Sequence, residues 1–180
     1  MHISILAKNH AEPGGTIVYR YLFAHRDVLE PVWGQMRRVV GKRGGRPSVS
    51  RYRAAEAIIW VCLTRGRWMD LPSGFVHGKT AHRTYKYWLS KGLWNDLLYA
   101  LATRTPTGRS LGLSRCFEDG QLVRSLAFEE VVDLVQAPVG DDPHRTWMLM
   151  LFLSPYGSNR VRQRSKRSEG LPPEGTATPG

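Results

Sequence analysis

Apolar residues recur at helical spacing through the middle of the chain. Val28, Val32 and Met36 lie four residues apart, on one side of a first helix predicted over residues 24–39. A second helix is predicted over residues 50–65, and it carries one broad apolar face, as expected for a helix at the centre of a core. The residues of that face are Tyr52, Ala55, Ile58, Ile59, Cys62 and Leu63.

A third helix is predicted over residues 80–91, after a stretch broken by Gly74 and Gly78. Its apolar residues, Ala81, Tyr85, Trp88 and Leu89, fall within an arc of about 100°, and the rest of its circumference holds no acid. A fourth helix over residues 93–102 turns Trp94, Leu97, Leu98 and Leu101 inward. The expected fold class is therefore mainly α.

The two ends of the chain lack this pattern. Residues 1–22 are expected to form a flexible arm, and residues 23–104 a helical domain. Residues 105–180 are expected to be a poorly ordered tail. The sequence changes character beyond Thr103, where a link rich in Gly, Ser, Thr and Arg begins. Within that tail the pattern predicts one acidic amphipathic helix over residues 121–136.

The positive charge is concentrated in one block. Between Arg37 and Lys91 there are thirteen Lys or Arg residues and two acids, Glu56 and Asp70, so this block alone carries +11, the formal net charge of the whole chain. A basic block of this kind favours an anionic partner, with nucleic acid first and an anionic membrane second. A basic surface with no partner is the alternative.

A short helix at residues 68–72, a glycine-containing turn and the third helix together resemble a helix-turn-helix, in which the second helix enters the major groove of duplex DNA. On that interpretation Thr80, His82, Arg83 and Tyr87 are candidate base or sugar contacts. Lys79, Lys86 and Lys91 are candidate phosphate contacts. The alternative is a helix that is merely solvated on one side.

The linker before the second helix adds further candidates. Arg43 and Arg46 lie among glycines ahead of Pro47, as in basic arms that lie on phosphates or enter a minor groove, and Arg51 follows at the start of the helix. A solvated loop is the competing interpretation.

Catalytic and metal-binding patterns are not recognised. The six histidines form no His-x-x-x-His pair, and Cys62 and Cys116 stand far apart without metal-ligand spacing. No cofactor, metal or disulfide framework is expected. The N-terminus does not resemble a signal peptide, and the apolar run 147–153 is shorter than the roughly 20 residues of a membrane span. A cytoplasmic, nucleoid-associated protein without membrane contact is expected.

An ordered series of motifs resembles the N-terminal domain of transposases of insertion-sequence family five. The series comprises Gly-Gly-Arg-Pro (44–47), a helix ending Trp-Val-Cys-Leu-Thr-Arg-Gly (60–66), Arg-Trp-Met-Asp-Leu-Pro (67–72), a Tyr-containing basic helix ending in Trp88, and Gly-Leu-Trp (92–94). The resemblance covers about residues 28–102. It departs from the family pattern at Met69, where Arg is usual, at His77-Gly78, near a usual Trp, and at Thr64-Arg65, which reverse the usual order.

The resemblance implies binding of double-stranded DNA at the terminal inverted repeats of a mobile element. In the family, a ribonuclease-H-like domain follows, whose Asp, Asp and Glu carboxylates bind two divalent metals. That domain is not recognised in this chain. Asp119-Gly120 only faintly resembles its opening, and no catalytic residue is assigned.

Three interpretations of the function remain open from the sequence. The chain is expected to be the DNA-binding part of a truncated transposase that is inactive alone. The second interpretation is the upstream product of a frameshifted transposase, with the downstream frame product as a partner. The third is a nucleic-acid-binding regulator.

Overall fold

The computed structural model describes residues 15–39, 49–137 and 142–153, and these are mainly α-helical. The helices are α1 Ile17–Ala24, α2 Arg26–Val39, α3 Arg51–Thr64, α4 Gly78–Ser90, α5 Leu93–Arg104, α6 Pro106–Ser110, α7 Phe128–Gln136 and α8 Arg145–Leu153. Two 3₁₀ turns, Trp68–Asp70 and Leu113–Cys116, and a short antiparallel hairpin, β1 Phe117–Glu118 and β2 Gln121–Leu122, complete the described fold. The predicted fold class is confirmed.

Helices α3 and α5 form the centre of the core. Helix α3 packs against α1, α4 and α8, whereas α5 packs against α2, α4 and α6. Every side chain from Ala54 to Ile59 is buried, so α3 is surrounded by protein along its middle rather than along one face. Because α4 contacts both central helices, its orientation is set by the core itself.

The N-terminal part of the described structure differs from the predicted arm. Helix α1 begins at Ile17 and buries Val18, Tyr21 and Leu22. Its N-cap residue Thr16 accepts a hydrogen bond from the Tyr19 amide through its hydroxyl and donates its own amide to the buried Glu56 carboxylate at 2.9 Å. Eight residues span only about two turns, too few for a helical period to stand out in the sequence.

Helix α2 lies where the first helix was predicted, but its buried face is rotated from the predicted one and shares Val32 with it. Leu29, Val32 and Trp33 are in the core, whereas Val28 is exposed. A tryptophan and a leucine bury more apolar area than a valine, and this difference sets the rotation of the helix.

Residues 106–153 add to the same core, where a poorly ordered tail was expected. Helix α6 packs directly on α5, since a Cβ built on Gly108 would lie 2.0 Å from the carbonyl oxygen of Leu101. The Thr105 hydroxyl accepts a hydrogen bond from the Gly108 amide and donates one to the Leu101 carbonyl. The buried apolar side chains of this part are Leu111, Leu113, Cys116, Leu126, Val131, Trp147, Met148, Leu149, Leu151 and Phe152.

A hairpin occupies the first residues of the helix predicted over 121–136. Asp119 and Gly120, both with positive φ, form its two-residue turn, which is the conformation that Asp-Gly favours in tight hairpins. The Asn95 side chain fixes the hairpin to α5, donating to the Gly120 carbonyl at 2.8 Å and accepting from the Leu122 amide at 3.0 Å.

Helix α7 therefore starts at Phe128, behind a capping interaction. The Glu130 carboxylate accepts the Ala127 amide at 2.9 Å and pairs with the Arg124 guanidinium, and these contacts hold the pKa of Glu130 below its usual range. Residues 154–180 of the predicted tail lie outside the described residues.

Cys62 lies in the core, as its position on the apolar face of the second predicted helix indicated, and Cys116 is buried as well. Burial raises the pKa of Cys62 to about 12. No helix in the described ranges has both the length and the apolar character that crossing a membrane requires.

Candidate nucleic-acid interface

Helix α4 has one buried side and one cationic side. Ala81, Tyr85 and Trp88 are buried against the core, with Tyr85 edge-on to the Trp94 ring at 5.4 Å. The opposite side exposes Lys79, His82, Arg83 and Lys86, and the exposed Lys91 follows as the C-cap residue. The rotation of this helix agrees with the apolar pattern of its sequence.

The cations on this side form no ion pair within the described part of the chain. Lys79, Arg83, Lys86 and Lys91 take part in no ion pair with any other described residue, and α4 contains no acid. At about 1.5 Å of rise per residue, the positions from Lys79 to Lys91 extend over about 18 Å of the helix axis. An uncompensated cationic row of this length attracts a polyanion.

The three remaining candidates on α4 are either partly buried or packed against another ring. Thr80 is partly buried, and the exposed His82 ring stacks on Trp68 with ring centroids 5.1 Å apart. Tyr87 is partly buried and packs against the core, and its buried hydroxyl has no hydrogen-bond partner among the residues that the structure describes. The Tyr87 hydroxyl is thus turned away from the surface on which Arg83 and Lys86 lie.

Three further candidates, Arg43, Arg46 and Arg51, precede α3 in the sequence or lie at its start. The Arg51 guanidinium carbon lies 5.3 Å from the Tyr52 ring centroid and 6.0 Å from that of Trp33, and its Nε is buried. Arg43 and Arg46 lie outside the described residues. The structure therefore brings together the candidates of α4 and places Arg51 on a separate helix, α3.

The connection between α3 and α4 contains a 3₁₀ turn rather than a short α-helix. Arg65 ends α3 in the left-handed conformation, and the Trp68–Asp70 turn then packs against the start of α4. Gly78 permits this approach, since a Cβ there would lie 1.9 Å from the Trp68 carbonyl oxygen. The two helices are joined by residues 65–77, a longer connection than in a compact helix-turn-helix.

Arg67 is an exposed cation of this turn that the sequence patterns did not single out. Its guanidinium forms a fork with the Asp70 carboxylate, with Nε 2.9 Å from Oδ2 and Nη2 3.0 Å from Oδ1. The fork lowers the pKa of Asp70 below its usual range and raises that of Arg67. The Arg-x-x-Asp spacing at the start of Arg-Trp-Met-Asp-Leu-Pro was the available signal.

The carboxylates outside α4 are dispersed. Asp119 lies in the exposed hairpin turn, at the edge of a sheet of two two-residue strands. Among the described residues, no group of three His, Cys, Asp or Glu side chains is placed to hold a metal ion.

Residues 27–98, which include α4 and its anchoring helices, match the protein-family model described as "Putative transposase of IS4/5 family". Over these residues the chain is similar to the IS4/5 transposase family. The resemblance carried by the motifs is thereby confirmed. The IS4/5-type segment starts one residue into α2 and ends within α5, so it contains the whole cationic side of α4.

Two relatives are similar to parts of the chain, and one of them is named as an insertion-element protein. A protein described as "Insertion element IS402 uncharacterized 16.2 kDa protein" from Burkholderia cepacia is 29% identical over 104 residues, which cover 57% of this chain and 70% of the relative. "Uncharacterized protein y4sN" from Sinorhizobium fredii is 32% identical over 62 residues, which cover 34% of this chain and 48% of the relative. No solved structure matches the chain.

Proposed function

We propose that this chain binds duplex DNA at the ends of an insertion element, with α4 as the helix that enters the major groove. One observation carries the proposal: four cations project from the solvent side of α4 without an ion pair among the described residues, while the other side is fixed in the core. A rigid helix with one cationic face satisfies the two requirements of groove recognition, namely defined placement and attraction to phosphate.

Different roles are proposed for the residues of this surface. Arg83, with Thr80 and His82 beside it, is proposed to contact base edges, because the N-terminal half of a recognition helix reaches deepest into the groove. Lys79, Lys86 and Lys91 are proposed to contact phosphates. Arg43, Arg46 and Arg51 would extend the contact along the backbone, and Tyr87 would contribute only through its ring.

The salt dependence of binding tests the proposal. Purified full chain is titrated into duplex DNA carrying the element ends and into random duplex of equal length. If the three lysines each neutralise one phosphate, they alone make the logarithm of the affinity fall against the logarithm of salt with a slope of about −2.7, which is about a 40-fold loss between 50 and 200 mM salt. Phosphate contacts by Arg43, Arg46 and Arg51 would steepen this slope. A flat salt dependence, or no preference for element ends, would contradict the proposal.

Variants separate the two roles. Lys86→Ala is expected to weaken binding to both DNAs alike and to reduce the salt slope by about one, because a phosphate contact carries no sequence information. Arg83→Ala is expected to reduce the preference for the element ends, by about 1–3 kcal/mol if it pairs with a guanine. Arg109→Ala, which removes an exposed cation on α6, is the matched control and should leave both affinities unchanged.

We also propose that strand transfer is completed by a second polypeptide, such as a downstream frame product. The support is the position of Asp119 in a hairpin turn rather than within a sheet, together with a relative of 16.2 kDa that is named as an insertion-element protein. Mixing the chain with the product of the adjacent frame and assaying 3′-end cleavage tests this. Cleavage by the chain alone would exclude it.

A further inference from the structure

The Arg67–Asp70 fork leaves one edge of the guanidinium without a hydrogen bond to any other described residue. Arg has five N–H donors in a plane, and Asp70 takes the one on Nε and one of the two on Nη2. The remaining donors include a parallel pair, one on Nη1 and one on Nη2, along the end of the group. A parallel pair of donors matches two adjacent acceptors such as O6 and N7 of guanine.

The fork sits on a rigid element. Trp68, the residue after Arg67, stacks on the α4 residue His82 and packs at a tilt against Tyr85, with ring centroids 5.1 and 5.4 Å from its own. Its carbonyl lies so close to Gly78 that a methyl group would not fit between them. Arg67 is therefore held beside the N-terminal half of α4, the part proposed to reach the bases.

Stability does not account for the fork. The Arg67 side chain is 85% exposed and that of Asp70 43% exposed. Ion pairs in such positions contribute little to folding, because water screens them and the side chains lose conformational freedom. Their remaining effect is to orient the guanidinium, with its free edge directed away from Asp70.

We infer that Arg67, oriented by Asp70, is a further specificity-determining residue that contacts a guanine next to the bases read by α4. The inference rests on the proposed DNA binding. Asp70 is a positioning residue, which fixes the plane of the guanidinium and prevents it from turning to a phosphate. Lysine could supply the charge at this position, but not the paired donors.

Selection of preferred sequences from a random duplex pool, with purified full chain, gives the wild-type site. Arg67→Ala and Arg67→Lys should each lower discrimination at one guanine position by about 5- to 150-fold, while the lysine variant keeps the salt slope. Replacing that guanine by 7-deazaguanine, which lacks the N7 acceptor, should weaken wild-type binding but not binding by Arg67→Ala.

Asp70→Asn distinguishes orientation from charge. The substitution removes a negative charge, so affinity for random duplex should rise, while discrimination at the same guanine should fall. Arg65→Asn removes a neighbouring exposed cation at a left-handed position that Asn tolerates, and it should leave discrimination unchanged. Melting temperatures of all variants identify those that lose structure, and Arg67→Lys then replaces any alanine variant that does not fold.

Each outcome has a definite meaning. If wild-type chain selects no site, the proposed DNA recognition itself fails. If wild-type chain selects a site but Arg67→Ala weakens all sequences equally, Arg67 contacts a phosphate, and only the present inference is overturned. The inference is supported if Arg67→Ala loses discrimination at one guanine position and its binding does not change when that guanine is replaced by 7-deazaguanine.

Discussion

Replacing Gly108 by alanine measures how much residues 106–153 contribute to the fold. The new Cβ would lie 2.0 Å from the Leu101 carbonyl oxygen and 2.8 Å from that of Ala102, far inside ordinary contact distance. Both atoms belong to the backbone of α5, so neither can rotate aside. Helix α6 would have to move by an ångström or more, and with it the Thr105 cap that binds the Gly108 amide.

The magnitude follows from two opposing effects. Overpacking of this kind costs about 1–3 kcal/mol or more, whereas alanine in place of glycine in a helix recovers up to about 1 kcal/mol. Because the contact is with immobile backbone, we expect a net loss of about 2 kcal/mol. At about 2–4 °C per kcal/mol for a chain of this size, the melting temperature should fall by about 4–8 °C.

Thermal unfolding followed by circular dichroism provides the assay, and Gly34→Ala is the matched control. Gly34 lies within α2, and the nearest atom to a Cβ there is the flexible Glu30 carboxylate at 4.0 Å. Gly34→Ala should therefore raise stability by about 0.5–1 kcal/mol. An unchanged or higher melting temperature for Gly108→Ala would refute the packing of α6 on α5.

Three further predictions concern the core, pH dependence and catalysis. Trp88→Ala should cost about 3–5 kcal/mol, measured by denaturant unfolding, because it empties a buried site; near-wild-type stability would mean that α4 is rotated. Burial lowers the pKa of His144, so the folded state binds its proton less readily than the unfolded chain, and stability present above the ordinary pKa of about 6.5 should be lost as pH falls below it. His144→Asn, which can keep an acceptor for the Trp147 indole N–H, should flatten that dependence in melting experiments. The chain alone should not nick element-end DNA in Mg²⁺ or Mn²⁺; 3′-end cleavage that Asp119→Asn abolishes would contradict this.

Long helices with a one-sided apolar pattern were predictable, and the candidate site on α4 was predictable with them. The buried side of α4 follows directly from the spacing of Ala81, Tyr85 and Trp88. The Tyr87 hydroxyl did not follow, because a helical wheel places a residue on a boundary but does not show how far neighbouring helices extend over it. The partner of His82 also required the fold, since Trp68 lies on a separate element.

The structure of residues 106–153 could not be predicted in the same way. These elements are short and are held by contacts between segments distant in sequence, such as Asn95 with Gly120 and Leu122, or Thr107 with Asp142. The spacing of apolar and polar residues within one segment does not reveal contacts with a distant segment. Gly108 illustrates the difficulty, because it resembles a link residue in the sequence and is a close-packing residue in the structure.

The position of α5 also bears on how such chains diversify. The match to the IS4/5 family ends at residue 98, yet α5 continues to Arg104 and buries Ala100, Leu101 and Ala102. Helix α6 covers this far side of α5 here. A descendant that kept residues 27–104, through the end of α5, and acquired a new continuation by recombination would inherit an uncovered apolar surface. Only continuations able to shield α5 would then yield a stable protein, so packing as well as function restricts the segments that can be joined to the IS4/5-type segment.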